Sequence, residues 1–119
     1  MFLSQCTGPS MEPAIHNYDV LFTEHLSPMM NRFSNGDIVV ARSPTDPHKI
    51  VCKRIVGTPG EKIKMNFSYV IVPEGHVWLE GDNKHDSVDS RTYGAVPQAL
   101  ILSRAFCRIW PLNSIHVFP

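Results

Sequence analysis

Short apolar runs separated by turn-forming residues make up most of the chain. Segments rich in β-branched and aromatic residues, bounded by glycine, proline or asparagine, are typical of strands. They lie at residues 19–23, 38–41, 50–56, 61–65, 69–72, 76–80 and 100–110. Ten prolines and seven glycines spread over 119 residues argue against long helices. The pattern predicts an all-β fold of compact antiparallel sheets with little helix.

Two segments refine this prediction. The run at residues 38–41 is apolar on both faces and predicts a central strand. Residues 27–35 are irregular, and we expect Met29, Met30 and Phe33 to cover part of the core from a short helix or loop. Since no linker or repeat divides the chain, we expect one domain over residues 1–119.

A lysine stands at an apolar position of the predicted strand 50–56. Strand alternation places Lys53 on one face with Val51 and Ile55, and Arg54 on the other. If this is an edge strand, the lysine ammonium extends to water. If the strand is central, burial lowers the lysine pKa by up to ~3–5 units. A lysine that is neutral at working pH is a general base.

Charge and metal-ligand content narrow the classes of function. Lys plus Arg and Asp plus Glu number 11 each, so the basic excess of a nucleic-acid-binding protein is missing. Three cysteines and six histidines are widely scattered and form neither a disulfide framework nor a metal-ligand pattern. We therefore predict no metal, no cofactor and no nucleic-acid partner. No apolar run approaches the ~18 residues of a membrane span.

Ser10 is the candidate nucleophile. It lies in a tight turn between Pro9 and Pro13, two residues that restrict the backbone direction. A helix N-cap is the alternative, but a capping box places Glu or Gln three residues after the serine, where this chain has Pro13. A rigid turn that displays one hydroxyl suits a nucleophile held near its base.

A polar loop over residues 81–94 is the third candidate element. Its polar side chains include Asp82, Asn83, Asp86, Ser87, Asp89, Ser90 and Arg91. Asp89 and Arg91 are close enough in sequence to pin the loop through charge-assisted hydrogen bonds. An ordinary solvated loop is the alternative. The acidic spacing does not match a calcium-binding loop.

Four motifs, in this order, resemble the type I signal peptidases, which are serine proteases with a Ser-Lys dyad. The motifs are Gly8-x-Ser10-Met11-x-Pro13, Gly36-Asp37-Ile38-Val39, Lys53-Arg54-x-x-Gly57 and Gly81-Asp82-Asn83-x-x-x-Ser87-x-Asp89-Ser90-Arg91-x-x-Gly94. The resemblance spans residues 8–111 and implies a partly open barrel of antiparallel sheets. The middle region and the ending Ile109-Trp110-Pro111-Leu112 are most similar to family members of the mitochondrial inner membrane.

The resemblance implies a role for each motif residue. Ser10 would attack the scissile carbonyl, and its backbone N–H would donate to the oxyanion. Lys53 would be the uncharged base, oriented by Ser87. Asp89 and Arg91 would form the ion pair that holds the loop beside the dyad. Met11 and Pro13 would line an apolar substrate-binding floor, where Met11 keeps Lys53 dry.

The chain departs from the family in two places. Gly8 replaces the serine that gives many bacterial members a second oxyanion donor, which leaves a backbone group or Thr7 for that role. The N-terminal membrane anchor of the family is not seen before the serine motif, so we expect a fragment, an isoform or a chain not anchored by itself.

The resemblance also implies substrates, partners and a location. It implies an endopeptidase that removes sorting presequences from precursor proteins. It further implies a heterodimer with a related subunit and membrane association, with the catalytic domain at the inner membrane facing the intermembrane space.

Two other hypotheses remain. One is a non-catalytic β-scaffold subunit that binds or stabilises a partner protease. The other is a secreted β-domain with a regulatory thiol at Cys52.

Overall fold

The structure is a computed structural model that describes residues 2–5, 8–16, 18–111 and 115–118, with the backbone alone at residues 2–5 and 109. Its strands are β1 (Phe2–Gln5), β2 (Val20–Glu24), β3 (Ile38–Arg42), β4 (Ile50–Gly57), β5 (Lys62–Met65), β6 (Ser68–Ile71), β7 (His76–Glu80), β8 (Val96–Pro97), β9 (Ile101–Trp110) and β10 (His116–Val117). Two single-turn α-helices are α1 (Leu26–Met29) and α2 (Ser90–Tyr93). The 3-10 turns span Lys84–Asp86 and Gln98–Leu100. The all-β prediction is confirmed.

The strands form one large antiparallel sheet and one small hairpin. The large sheet has the order β1-β2-β9-β3-β4-β7-β8, and β10 pairs with β9. Within the described residues β1 and β8 do not pair, so the sheet is not closed, which is consistent with the predicted partly open barrel. The run at residues 38–41 is central as predicted, since β3 lies between β9 and β4.

Strand alternation divides the core between the two faces of this sheet. Ile38 of β3 belongs to a cluster on one face, whereas Val39 belongs to a cluster on the other. The first cluster contains Met11, Ile15, Leu21, Ile38, Ala105 and Phe118. The second contains Val39, Ala41, Ile55, Val77, Leu79, Val96 and Ile101. Both faces of the central strands are therefore covered by apolar clusters. A polar side chain that projects from either face of these strands can thus be shielded from water.

The hairpin of β5 and β6 packs against β7 through a third cluster of Ile63, Val72 and Trp78. Gly57, at the end of β4, allows this approach, because a Cβ there would lie 2.6 Å from Ile63 Cδ1. The outward residues Phe67, Tyr69 and Ile71 are exposed.

The structure corrects one detail of the irregular segment and adds three strands. Met29 and Met30 were expected to cover the core, but 79% and 48% of their surface is exposed, because α1 is a single turn with no buried residue. Phe33 does pack against the second cluster, as predicted. The sequence pattern did not predict β1, which pairs with β2, β8, which pairs with β7, or β10, which pairs with β9.

Two adjacent residues of β4 test the two-faced core. Ile55 is 1% exposed in the second cluster and Val56 is 38% exposed. We expect Ile55→Ala to lower the free energy of unfolding by about 2–5 kcal/mol. Val56→Ala, the matched control, should cost about 0.5 kcal/mol or less. Urea denaturation measures both, and equal losses would contradict the assignment of faces.

Candidate active site

The amine of Lys53 is buried in the middle of the large sheet. Lys53 is 4% exposed, and β4 is hydrogen-bonded to β3 on one side and β7 on the other. Its register partner on β3 is Val39, from the second apolar cluster. The edge-strand alternative is therefore wrong, since β4 has a neighbour on each side and the face that carries Lys53 is covered by the second apolar cluster. Burial removes water from the ammonium and lowers the pKa of Lys53 below its usual 10.5.

A directed line of hydrogen bonds joins Lys53 to the polar loop. Lys53 Nζ donates to Ser87 Oγ at 3.0 Å. The Ser87 hydroxyl donates its proton to Asp89 Oδ2 at 2.8 Å. Because that proton is committed to Asp89, Ser87 acts towards the lysine as an acceptor. One N–H of the amine is thereby fixed in direction.

Asp89 is the anchor of this loop. It is 0% exposed and accepts from Gly81 N–H at 2.9 Å and from the Arg91 guanidinium at 2.9 Å through both Nε and Nη2. It is also the N-cap of α2, where it accepts from Arg91 N–H. Burial alone raises the pKa of Asp89, but the hydrogen bonds from Arg91, Gly81 and Ser87 outweigh burial and lower that pKa to about 2.

Charged groups near the lysine amine act on its pKa in both directions. Burial is the largest effect and lowers the pKa of Lys53. Asp89 and Cys52 raise that pKa, while Lys49 and Arg91 lower it. No carboxylate forms an ion pair with Lys53 in the part of the chain that the structure describes. The amine therefore lacks the direct counter-ion that stabilises the charged form of most buried lysines.

The turn that carries Ser10 is packed against the same loop. Asn83 N–H donates to the Ser10 carbonyl oxygen at 2.8 Å. A Cβ at Gly81 would overlap both that oxygen and Ser87 Oγ, so only glycine allows this approach. The turn is closed by a hydrogen bond from Glu12 N–H to the Pro9 carbonyl at 3.1 Å. Ser10, which is half-buried, thus lies beside the loop that holds the lysine.

Arg54 ties the other motifs together on the opposite face of β4. Its Nε and Nη2 donate to the two oxygens of Asp82 at 2.9 and 2.8 Å. Its Nη1 donates to the Gly36 carbonyl at 2.8 Å. These bonds connect the lysine strand, the Gly36-Asp37 turn and the polar loop. Such bidentate pairing fixes orientation as well as distance.

The structure brings most of the predicted site residues together. Lys53, Ser87, Asp89 and Arg91 form the connected line described above. Ser10 is bonded through its carbonyl to Asn83 of the same loop. Gly8 has a φ of +87°, a conformation that favours glycine.

Among the described residues, the Lys53 amine is hydrogen-bonded to Ser87, and no hydrogen bond joins it to Ser10, Met11 or Pro13. Met11 is buried in the first cluster, whereas the partner of Lys53 on its own face belongs to the second. Pro13 is exposed. Thr7, the alternative oxyanion donor, lies outside the described residues. The roles of Met11 and Pro13 at the lysine stay predictions.

Sequence reasoning missed the parts played by Gly81, Asn83 and the Arg54–Asp82 pair. All four residues stand in the quoted motifs, so the signal was present. The sequence did not reveal the partner of each residue, because the partners are distant along the chain. Arg54 and Asp82 are 28 residues apart, and Asn83 and Pro9 are 74 residues apart.

Two surveys of the described residues are negative. None of their helices has the length and apolar character needed to cross a bilayer. None of their His, Cys, Asp and Glu side chains gather in groups of three or more that could hold a metal ion.

The open antiparallel sheet is the fold of a signal peptidase, and in this chain a buried lysine lies beside the polar loop of residues 81–94. The chain belongs to the signal peptidase, peptidase S26 family, whose pattern matches residues 2–72 and 66–110. The family and its relatives support a signal-peptidase-like protease of mitochondria.

Curated relatives and a solved structure agree with this family. Human mitochondrial inner membrane protease subunit 1 is 50% identical over 91% of this chain and 69% of its own length. Subunit 2 of the Saccharomyces cerevisiae protease is 33% identical over 92% of this chain and 68% of its own. A crystal structure of a signal peptidase I from Enterococcus faecalis aligns with a TM-score of 0.54 and 23% identity, over 60% of this chain and 95% of that one. The last match shows the shared fold.

Asp89 provides a test of the loop anchor through pH. Since its pKa is about 2 in the folded chain against an ordinary 3.8, its stabilisation is complete above pH 3.8 and is lost as the pH falls through 2. Asp89→Asn should lower the free energy of unfolding by about 2 kcal/mol at pH 7, and this difference should shrink towards pH 2. Chemical denaturation across that range measures it. Asp86→Asn, exposed in the same loop, is the control, and a loss independent of pH would contradict the argument.

Proposed function

We propose that the chain is a serine endopeptidase in which Ser10 is the nucleophile and Lys53 is the general base. The observation that carries the proposal is the Lys53 amine, 4% exposed and bonded to a serine hydroxyl rather than to a carboxylate. Burying a charged lysine in such a site costs stability, so the site favours the neutral amine that a general base requires. Family membership supports a peptidase, and the Ser10 turn beside the loop supplies the nucleophile.

The hydrogen-bond directions suit proton transfer. One N–H of neutral Lys53 points at Ser87, and the lone pair is left for another partner. Ser10 Oγ attacks the scissile carbonyl and gives its proton to Lys53 Nζ. The ammonium then returns that proton to the leaving amine as the acyl-enzyme forms. Lys53, neutral again, activates the water that hydrolyses the ester.

The developing oxyanion needs donors near Ser10. The Ser10 backbone N–H has no acceptor among the described residues, so it is available to the tetrahedral intermediate. A second donor comes from a backbone group of the same turn or from Thr7, because Gly8 carries no side chain for this role.

The proposed substrates are presequence-bearing precursor proteins. The relatives are named as subunits 1 and 2 of the mitochondrial inner membrane protease. By this relation the chain removes sorting presequences from proteins of the intermembrane space. It acts at the inner membrane, with the catalytic domain facing that space, as one member of a heterodimer with a related subunit.

Replacing the base tests the dyad. Lys53→Met keeps the length of the side chain and removes the amine, so we expect kcat/KM for a fluorogenic presequence peptide to fall by about 10³-fold or more. Ser10→Ala should give a similar loss, because the two residues act as a unit.

Lys64→Met on exposed β5 is the matched control and should leave cleavage unchanged. Undiminished cleavage by Lys53→Met would contradict the proposal that Lys53 is the general base. A wild-type chain that cleaves nothing, even with a related subunit supplied, would instead favour the non-catalytic scaffold.

The lowered pKa of Lys53 predicts a pH profile. Only the neutral amine accepts a proton, so kcat/KM should rise with pH through the Lys53 pKa and then level off. Because burial lowers that pKa, the midpoint should lie below the 10.5 of an ordinary lysine. Stopped peptide-cleavage assays from pH 5 to 11 measure it. A rate that rises only near pH 10.5 would contradict desolvation of the amine.

A further inference from the structure

Asn83 joins the nucleophile turn to the loop that holds the lysine. Its backbone N–H donates to the Ser10 carbonyl at 2.8 Å. Its side-chain Nδ2 donates to the Pro9 carbonyl at 3.1 Å. One residue thus binds two consecutive carbonyls of a segment more than 70 positions earlier.

The side chain of Asn83 is not used for the role that its position favours. Asn83 is the N-cap of the 3-10 turn Lys84–Asp86, where an asparagine usually accepts from its own turn. It makes no such bond. Its amide donates to Pro9 and, at 3.5 Å, to Asp86 Oδ2. Both partners are acceptors, which assigns the NH₂ group to this side.

The residues around Asn83 are already held in place. Asp82, its neighbour, is bonded in bidentate fashion to Arg54. Gly81 donates to Asp89, the anchor of the Ser87 hydroxyl. Asn83 therefore belongs to a loop that is held in place by its own hydrogen bonds. Its bonds to Pro9 and Ser10 fix the position of the Ser10 turn relative to that loop.

We propose that Asn83 is a positioning residue that sets the distance and angle between Ser10 and the Lys53–Ser87 pair. The inference rests on the proposed function. Asn83 need not touch the substrate. It holds the Ser10 turn in register against the lysine, and a displacement of ~1 Å between reacting groups costs ~100-fold in rate.

Two substitutions separate this role from simple stabilisation. Asn83→Ser keeps a residue suited to the N-cap position but is too short to reach Pro9. Asn83→Asp places a carboxylate oxygen opposite the Pro9 carbonyl, so the two acceptors repel. We expect kcat for the presequence peptide to fall about tenfold in Asn83→Ser and further in Asn83→Asp, with KM nearly unchanged.

The pH profile and the melting temperature supply independent readouts. The surroundings that set the Lys53 pKa include Asp89 and burial, not Asn83. The midpoint of the Asn83→Ser profile should therefore equal that of the wild type, and its Tm should stay well above the assay temperature. Asn66→Ser and Asn66→Asp, on the exposed β5–β6 turn, are matched controls that should retain wild-type kcat.

Asn83 variants with wild-type kcat would overturn the inference. A loss confined to KM, a shifted midpoint in Asn83→Ser, or a fall in kcat that follows unfolding would overturn it too, because each indicates a role other than alignment. Full activity of Ser10→Ala is the separate result that would remove the proposed function itself.

Discussion

The Asp89 carboxylate is the point on which the rest of the site depends. A fully buried charge is tolerated only when its oxygens are saturated with donors, and here Gly81, Ser87 and Arg91 supply them. Asp89 accepts a hydrogen bond from the Ser87 hydroxyl, so Ser87 can act only as an acceptor towards the Lys53 amine. Burial has the larger effect on the pKa of Lys53 and lowers it, whereas the charge of Asp89 raises it. A single ionised group therefore orders the loop without a direct ion pair to Lys53.

The two faces of β4 carry different parts of the same machinery. On one face Lys53 lies beside Val39 and Ile55 of the second apolar cluster, and burial lowers its pKa. On the other, Arg54 is charged, as arginine always is at working pH, and its hydrogen bonds with Asp82 raise its pKa further. The two adjacent basic residues therefore differ in their ion pairing. Arg54 pairs with the Asp82 carboxylate, whereas Lys53 has no paired carboxylate among the described residues. Both are held by the same β3–β4–β7 ladder, so the amine and the Arg54 anchor of the loop are rigidly related.

Periodicity predicted the strands well because each has one or two apolar faces that must be buried. The β4 and β7 segments were placed within a residue of their observed bounds. It failed for Met29 and Met30, whose hydrophobicity suggested burial although α1 is too short to bury a face. It also did not predict β10, a two-residue strand with both side chains exposed and hence no apolar pattern. The motif residues were visible, but the clamp from Asn83 to Pro9 was not, since spacing carries no information on contacts so distant in sequence.

The sequence by itself determined the all-β class, the alternation that turns Lys53 away from Arg54, and the residue types available for chemistry. These follow from local rules of backbone geometry and side-chain period, which act over a few positions. Only the tertiary structure decided whether the Lys53 side chain is exposed to solvent or buried, because that depends on which elements pack around β4. It alone brought Ser10, Gly81 and Ser87 within contact, because close approach of distant segments is a property of the packed chain.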